Sequence, residues 1–198
     1  MAGTSTEKLS VYRLLPGLSD HQALSFNSSD VQRIMRWHRT GAEMDRPARL
    51  RAAWMEEKGW PKGDFPSGYP SAPVVSLRIV EQFGDGLLAS GSLVPVDIDG
   101  AKEDEYYLLL VEQVVDCLDL RRSSKPKKAS GEVKKAVFRA DALPVGLPAF
   151  RLPQFPRAVQ WNGWAVERLT GLTGDEIEAR LLWSEDPAAV PHPDPWGF

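Results

Sequence analysis

The chain has 198 residues, 42% of them apolar and 26% charged, with a net charge of −3 and a single cysteine. That balance is ordinary for a globular protein and argues against bulk attraction to nucleic acid or to an anionic membrane surface. One cysteine, Cys117, excludes an intramolecular disulfide and fits a reducing compartment. The first residues lack the charged-then-apolar layout of a secretion signal, and no apolar run reaches the roughly 18 residues of a membrane helix. The expected location is the cytoplasm.

Val11 to Leu15 reads as a short first strand closed by Pro16-Gly17. Asn27-Ser28-Ser29-Asp30 is a helix start, because short polar side chains accept bonds from the free amides of a first turn. The helix runs to about Arg39 and stops at Gly41, with Val31, Ile34, Met35 and His38 on one face. A second helix is expected over Pro47 to Lys58, where Leu50, Ala53, Trp54 and Glu57 fall at helical spacing and Gly59 and Pro61 end it. The N-terminal third is thus expected to be helical.

From Pro73 the period becomes two: Val75, Leu77 and Ile79 alternate with Ser76 and Arg78, a half-buried strand. Gly84-Asp85-Gly86 turns the chain, and Leu93 to Ile98 follows as an edge or bulged strand because of Pro95. Glu105 to Leu120 is the organising stretch, opening with the unbroken apolar run Tyr106 to Val111, a buried central strand. Arg121 to Glu132 is a polar, basic, mobile loop, and Val133 to Phe138 a further strand. Short extended pieces follow at 150–152 and 158–161. Asn162 caps a helix ending at Gly171, and Ile177 to Trp183 alternates like a strand, although its Ala, Glu and Leu would equally accept a helix. Pro187 to Phe198 reads as an extended surface tail. The expected class is α+β: a helical N-terminal region (1–72) packed on a mainly antiparallel β-sheet domain (73–186), with the tail at 187–198.

No catalytic motif emerges. Cys117 is flanked by Asp116 and Asp119, the opposite of the cationic setting that activates a thiol. His21, His38 and His192 are scattered without the spacing of a metal site, and no residues call for a cofactor. A small hydrolase or transferase using Asp116, Asp119 and His38 is one alternative, but on a strand the two aspartates would point to opposite faces. A nucleic-acid-binding module using the basic loop (Arg121, Arg122, Lys125, Lys127, Lys128) is another, although that loop lacks aromatic residues for stacking. The acidic loop places five carboxylates in nine residues, Asp97, Asp99, Glu103, Asp104 and Glu105. Such a surface steers a basic partner and rejects wrong ones.

Four pieces in order carry a family resemblance: Tyr106 to Val111, then Val115-Asp116-Cys117-Leu118-Asp119 with Ser123 or Ser124, then Phe150-Arg151-Leu152, then Gly171-Leu172-Thr173-Gly174 followed by Trp183. Over about residues 73 to 184 the chain resembles a bacterial immunity-protein family of polymorphic toxin systems, the eleventh in that classification, built on a domain formerly of unknown function. Trp161-Asn162-Gly163-Trp164 departs from the family's usual Val-Ser. The resemblance implies no catalytic residues. It implies a non-enzymatic protein of interbacterial competition that neutralises a cognate toxin encoded next to it. The acidic loop would steer that toxin, and Trp161 and Trp164 would anchor it if exposed. Self-association into a homodimer is left open.

Overall fold

A strand covered on both faces reads as a continuous apolar run bounded by turn residues. A computed structural model of the chain describes residues 8–17, 21–55, 59–67, 69, 71–128 and 130–197. Its elements in order are β1 (Ser10–Pro16), β2 (Leu24–Phe26), α1 (Ser28–Thr40), β3 (Leu50–Trp54), β4 (Val74–Ser76), α2 (Leu77–Phe83), β5 (Gly91–Ile98), β6 (Tyr106–Val111), β7 (Ala149–Leu152), β8 (Phe155–Asn162), α3 (Gly163–Thr173) and β9 (Ile177–Ser184). They form a five-stranded sheet in the order β2-β3-β5-β6-β4 and a four-stranded sheet in the order β7-β8-β1-β9. All strand pairings among the described residues are antiparallel except β3 with β5.

The protein is therefore mostly β, with three short helices, and not α+β with a helical N-terminal region. The first 72 residues supply one α-helix and three strands, and those strands enter both sheets. α1 forms as its sequence requires: Asn27 Oδ1 accepts the Asp30 amide at 2.8 Å, and Gly41, at φ 65°, closes the other end. The helix expected over 47–58 is the strand β3, for residues 50–54; residues 56–58 lie outside those described. Leu50, Ala52 and Trp54 also satisfy a period of two, and pairing with β2 on one side and β5 on the other decides the conformation.

Similar competition explains the next stretch. The strand stops at Ser76, whose hydroxyl accepts the Ile79 amide and caps α2. Val75, Ile79 and Phe83 then fall four residues apart and enter one core. Pro95 does not mark an edge: β5 lies between β3 and β6, and Pro95 sits one residue before the β3 ladder begins at Val96. Gly91, at the start of β5, packs so close to β6 that a Cβ there would run into the Leu110 carbonyl.

β6 is central, as its apolar run requires. Leu109 and Val111 face a core shared with the four-stranded sheet, α2 and α3, whereas Tyr106, Leu108 and Leu110 face a second core covered by Ile34 and Trp37 of α1. A third core lies on the other side of the four-stranded sheet, where Cys117, Leu118, Val133 and Phe138 pack on Val11, Phe150 and Leu182. The segment supplying it is not strand. Between Val111 and β7 the described residues make only isolated bridges, Val114 with Arg151 and Leu118 with Phe138, so neither 112–120 nor 133–138 forms the expected strand. α3 runs through Gly171 and ends at Thr173, with Gly174 (φ 64°) as its cap. The Asn162 side chain does not cap that helix but donates to the Pro144 and Leu147 carbonyls.

The C-terminal tail is docked. His192 donates its amide to the Leu181 carbonyl on the outer edge of β9. Arg13 donates to the Pro195 carbonyl at 2.7 Å, and Arg180 to those of Asp194 and Gly197 at 3.0 and 2.7 Å. Trp196 stacks edge-on to Phe155 under the Arg13 guanidinium. Burial, with Arg180 close by, pulls the Arg13 guanidinium down to about 10.

Two polar side chains tie the sheets together. Ser90 exchanges hydrogen bonds with Ala149 of β7 through its hydroxyl. Arg151, 4% exposed, donates to the carbonyls of Val111 (2.7 Å), His38 (3.0 Å) and Pro156 (3.1 Å), and its guanidinium lies over the Trp37 ring. Truncation of Arg151 removes the donor from two buried carbonyls and one part-buried carbonyl. Arg151→Ala is expected to cost about 3 kcal/mol or more in urea denaturation, and Arg151→Lys to recover little, because an ammonium cannot span three carbonyls.

Candidate functional site

The connection between β5 and β6 is a tight acidic rim. Gly100, at φ 79°, turns the chain, and the Ala101 amide donates to the Ile98 carbonyl at 3.0 Å. Asp104 is held at φ 54°, a conformation that costs a side chain something and that aspartate tolerates better than most residues. Glu105 Oε2 accepts the Lys102 amide at 2.7 Å, which folds its carboxylate back onto the loop. Arg49 pairs with both Asp97 and Asp104. Asp99 and Glu103 are exposed and have no ion pair among the described residues. Partial burial, with Asp104 nearby, raises the Tyr107 phenol above its ordinary value.

Beside the rim opens a cleft of about 660 Å³ between β2, β3 and β5, with Asp97, Asp99 and Arg51 among its polar walls and Phe26 and Ala52 among its apolar ones. The rim is less negative than its five carboxylates imply, since Arg49, Lys62 and Lys102 stand next to it. Arg49 was hidden from sequence reasoning because it fell at the start of the expected 47–58 helix; β3 is what places it against Asp97.

The two tryptophans lie elsewhere. Trp161 is 1% exposed and meets Phe65 edge-on in the core between the sheets, so it is no surface anchor. Trp164 is half-buried at the start of α3, with Nε1 donating to the Val145 carbonyl at 3.0 Å and its ring near Phe83. Neither lines the cleft beside the acidic rim.

The structure does not bring the groups of the hydrolase alternative together. Asp116 accepts from Gln154 Nε2 at 2.9 Å, whereas Asp119 accepts the Arg121 and Arg122 amides and so starts the following turn. His38 is buried beside Trp37, its ring tilted against the indole. The Cys117 thiol is fully buried, and burial with Asp116 alongside pushes it up to about 12. No group of three or more histidine, cysteine or acidic residues among the described residues is placed to hold a metal ion. The basic loop is pinned along its length: Ser124 exchanges backbone and hydroxyl bonds with Lys135, and Lys127 pairs with Glu132.

A polar cluster not visible in the sequence joins the 59–67 loop to both sheets. Glu176 Oε2 accepts the Asp64 and Phe65 amides at 2.5 and 3.1 Å. Burial opposes it, but hydrogen bonds from Arg78 and Ser76 hold the Asp64 carboxyl below its ordinary value. The cluster joins residues far apart in the chain, so no local pattern announces it. Its role is to seat the loop. No helix among the described residues is long and apolar enough to cross a membrane. No family model and no curated protein matches the chain.

His38 carries the pH dependence that this geometry dictates. Burial, with Arg151 adding to it, drops the imidazole to about 3 from an unfolded value near 6.5. Between those values the unfolded chain takes up a proton that the folded chain refuses. Stability therefore falls as the medium is acidified, by up to about 1.4 kcal/mol per pH unit. Asp64 loses its contribution only below the ordinary carboxylate range. Denaturation midpoints measured between about pH 6 and pH 4.5 are expected to decline steeply in the wild type and much less in His38→Leu.

Proposed function

We propose that this chain is a non-enzymatic immunity protein that binds a cognate bacterial toxin in the cytoplasm of the producing cell and blocks it. The observation that carries this reading is the exposed, unpaired couple Asp99 and Glu103 on the acidic rim, next to an open cleft with Asp97 and Asp99 in its wall. A rim of this kind accelerates encounter with a basic surface, and a cleft with carboxylates at its mouth and Phe26 in its wall accepts an inserted arginine or lysine with apolar contact along the stem. The family resemblance over residues 73–184 supports the same class of activity, and the toxin partner is one encoded next to this chain. Arg49 keeps Asp97 and Asp104 in place between encounters, so the rim is preorganised.

The tagged chain is expected to co-purify stoichiometrically with the product of the adjacent upstream gene and to restore growth to cells expressing it. Reversal of Asp99 and Glu103 to lysine should slow association by about tenfold or more at low salt and leave the melting temperature unchanged. Failure of both complex formation and protection would overturn the proposal.

A further inference from the structure

On the outer face of α1 a second groove, of about 440 Å³, runs between the helix and the 130–131 and 156–157 segments. Its floor includes Met35 and Pro156, and three guanidiniums, Arg36, Arg39 and Arg157, line it with no carboxylate among the lining residues. Arg36 shares its charge with Asp45 at 3.0 Å. Arg157 is held by the Ser130 carbonyl at 3.2 Å, which fixes it without neutralising it. Arg39 is exposed and has no ion pair among the described residues. We infer that this groove docks an extended acidic peptide segment of a protein partner, its carboxylates taken by Arg39 and Arg157 and its intervening apolar side chains by Met35 and Pro156.

The surroundings discriminate among anions. A compact phosphate is usually cradled by free amides at a helix N-terminus. Here the groove follows the second half of α1, away from the free amides of its first turn, and the Gly131 amide is already given to the Lys127 carbonyl. Nucleic acid would call for stacking rings, and the lining has none. Spaced carboxylates meet the planar forks of arginine in pairs. From Gln32 to Arg39 the helix rises about 10 Å, the length of about three extended residues. This inference is independent of the toxin reading, because it uses a different surface and a partner of opposite charge.

The test uses the full chain and a fluorescein-labelled hexapeptide of alternating glutamate and leucine, read by anisotropy at low salt. Saturable binding is expected, weakened about tenfold by Arg39→Glu and severalfold by Arg157→Gln, with Asp99→Lys leaving it unchanged. Among the described residues Arg39 has no side-chain hydrogen bond or ion pair to lose, so its variant should melt like the wild type and report on binding alone. Any of four results overturns the inference. They are no binding, equal binding by Arg39→Glu, a gain in Asp99→Lys as large as the loss in Arg39→Glu, and displacement of the peptide by inorganic phosphate or oligothymidine at equal or lower concentration.

Discussion

A buried guanidinium without a buried carboxylate is an uncommon arrangement, and here much of the architecture converges on it. Arg151 belongs to β7 of the four-stranded sheet, yet its side chain ends on the last residue of β6, the last turns of α1 and the start of β8. Its backbone does similar work, donating to the Gln113 carbonyl and accepting from the Val115 amide where the chain leaves the central strand. The cost of desolvation shows in the guanidinium, which burial pulls down to about 10. Three carbonyls and the face of Trp37 offset that cost. Burial is the main reason that His38 resists protonation, and the same cation adds to it, so the joint between the sheets also contributes to the acid sensitivity of the fold.

Around that joint the molecule separates charge of opposite sign. The acidic rim projects from the end of the five-stranded sheet, and the arginine groove lies along α1, which covers one face of that same sheet. In each surface some side chains are held by backbone bonds or local ion pairs, Glu105 and Asp97 in the rim and Arg157 and Arg36 in the groove. Sites placed on rigid elements in this way lose little ordering entropy when a partner arrives. The tail behaves differently. It crosses the free edge of β9 and is fastened through its own carbonyls by Arg13 and Arg180, and its four prolines at 187, 191, 193 and 195 leave few amides for a further strand to pair with.

What the sequence made legible was set by local chemistry. The α1 caps, the first strand, the buried run Tyr106–Val111 and the alternation of Ile177–Ser184 are each dictated by a few neighbouring residues, and each is present. Where two periods fit the same residues, the surroundings chose: strand pairing at Leu50–Trp54, and the Ser76 cap with core packing at Leu77–Phe83. The long irregular segment after Val111 misled for another reason: its apolar residues pack on a sheet without joining one. At the surface, composition located the acidic rim but not Arg49, which moderates it. Arg157 stands more than a hundred residues from Arg36 and Arg39, so their groove has no signature in any window of sequence.

The order of the four-stranded sheet bears on how the chain reaches this structure. β1, from residues 10–16, lies between β8 and β9, from residues 155–184, and has no other strand partner among the described residues. Pairings so distant along the chain must close a very long loop before they return any free energy, which slows folding, although the closure cost itself grows only logarithmically with loop length. On the ribosome, Val11, Leu14 and Leu15 emerge well before the strands that will bury them. During that interval an unpaired apolar edge is open to the solvent and to chaperones.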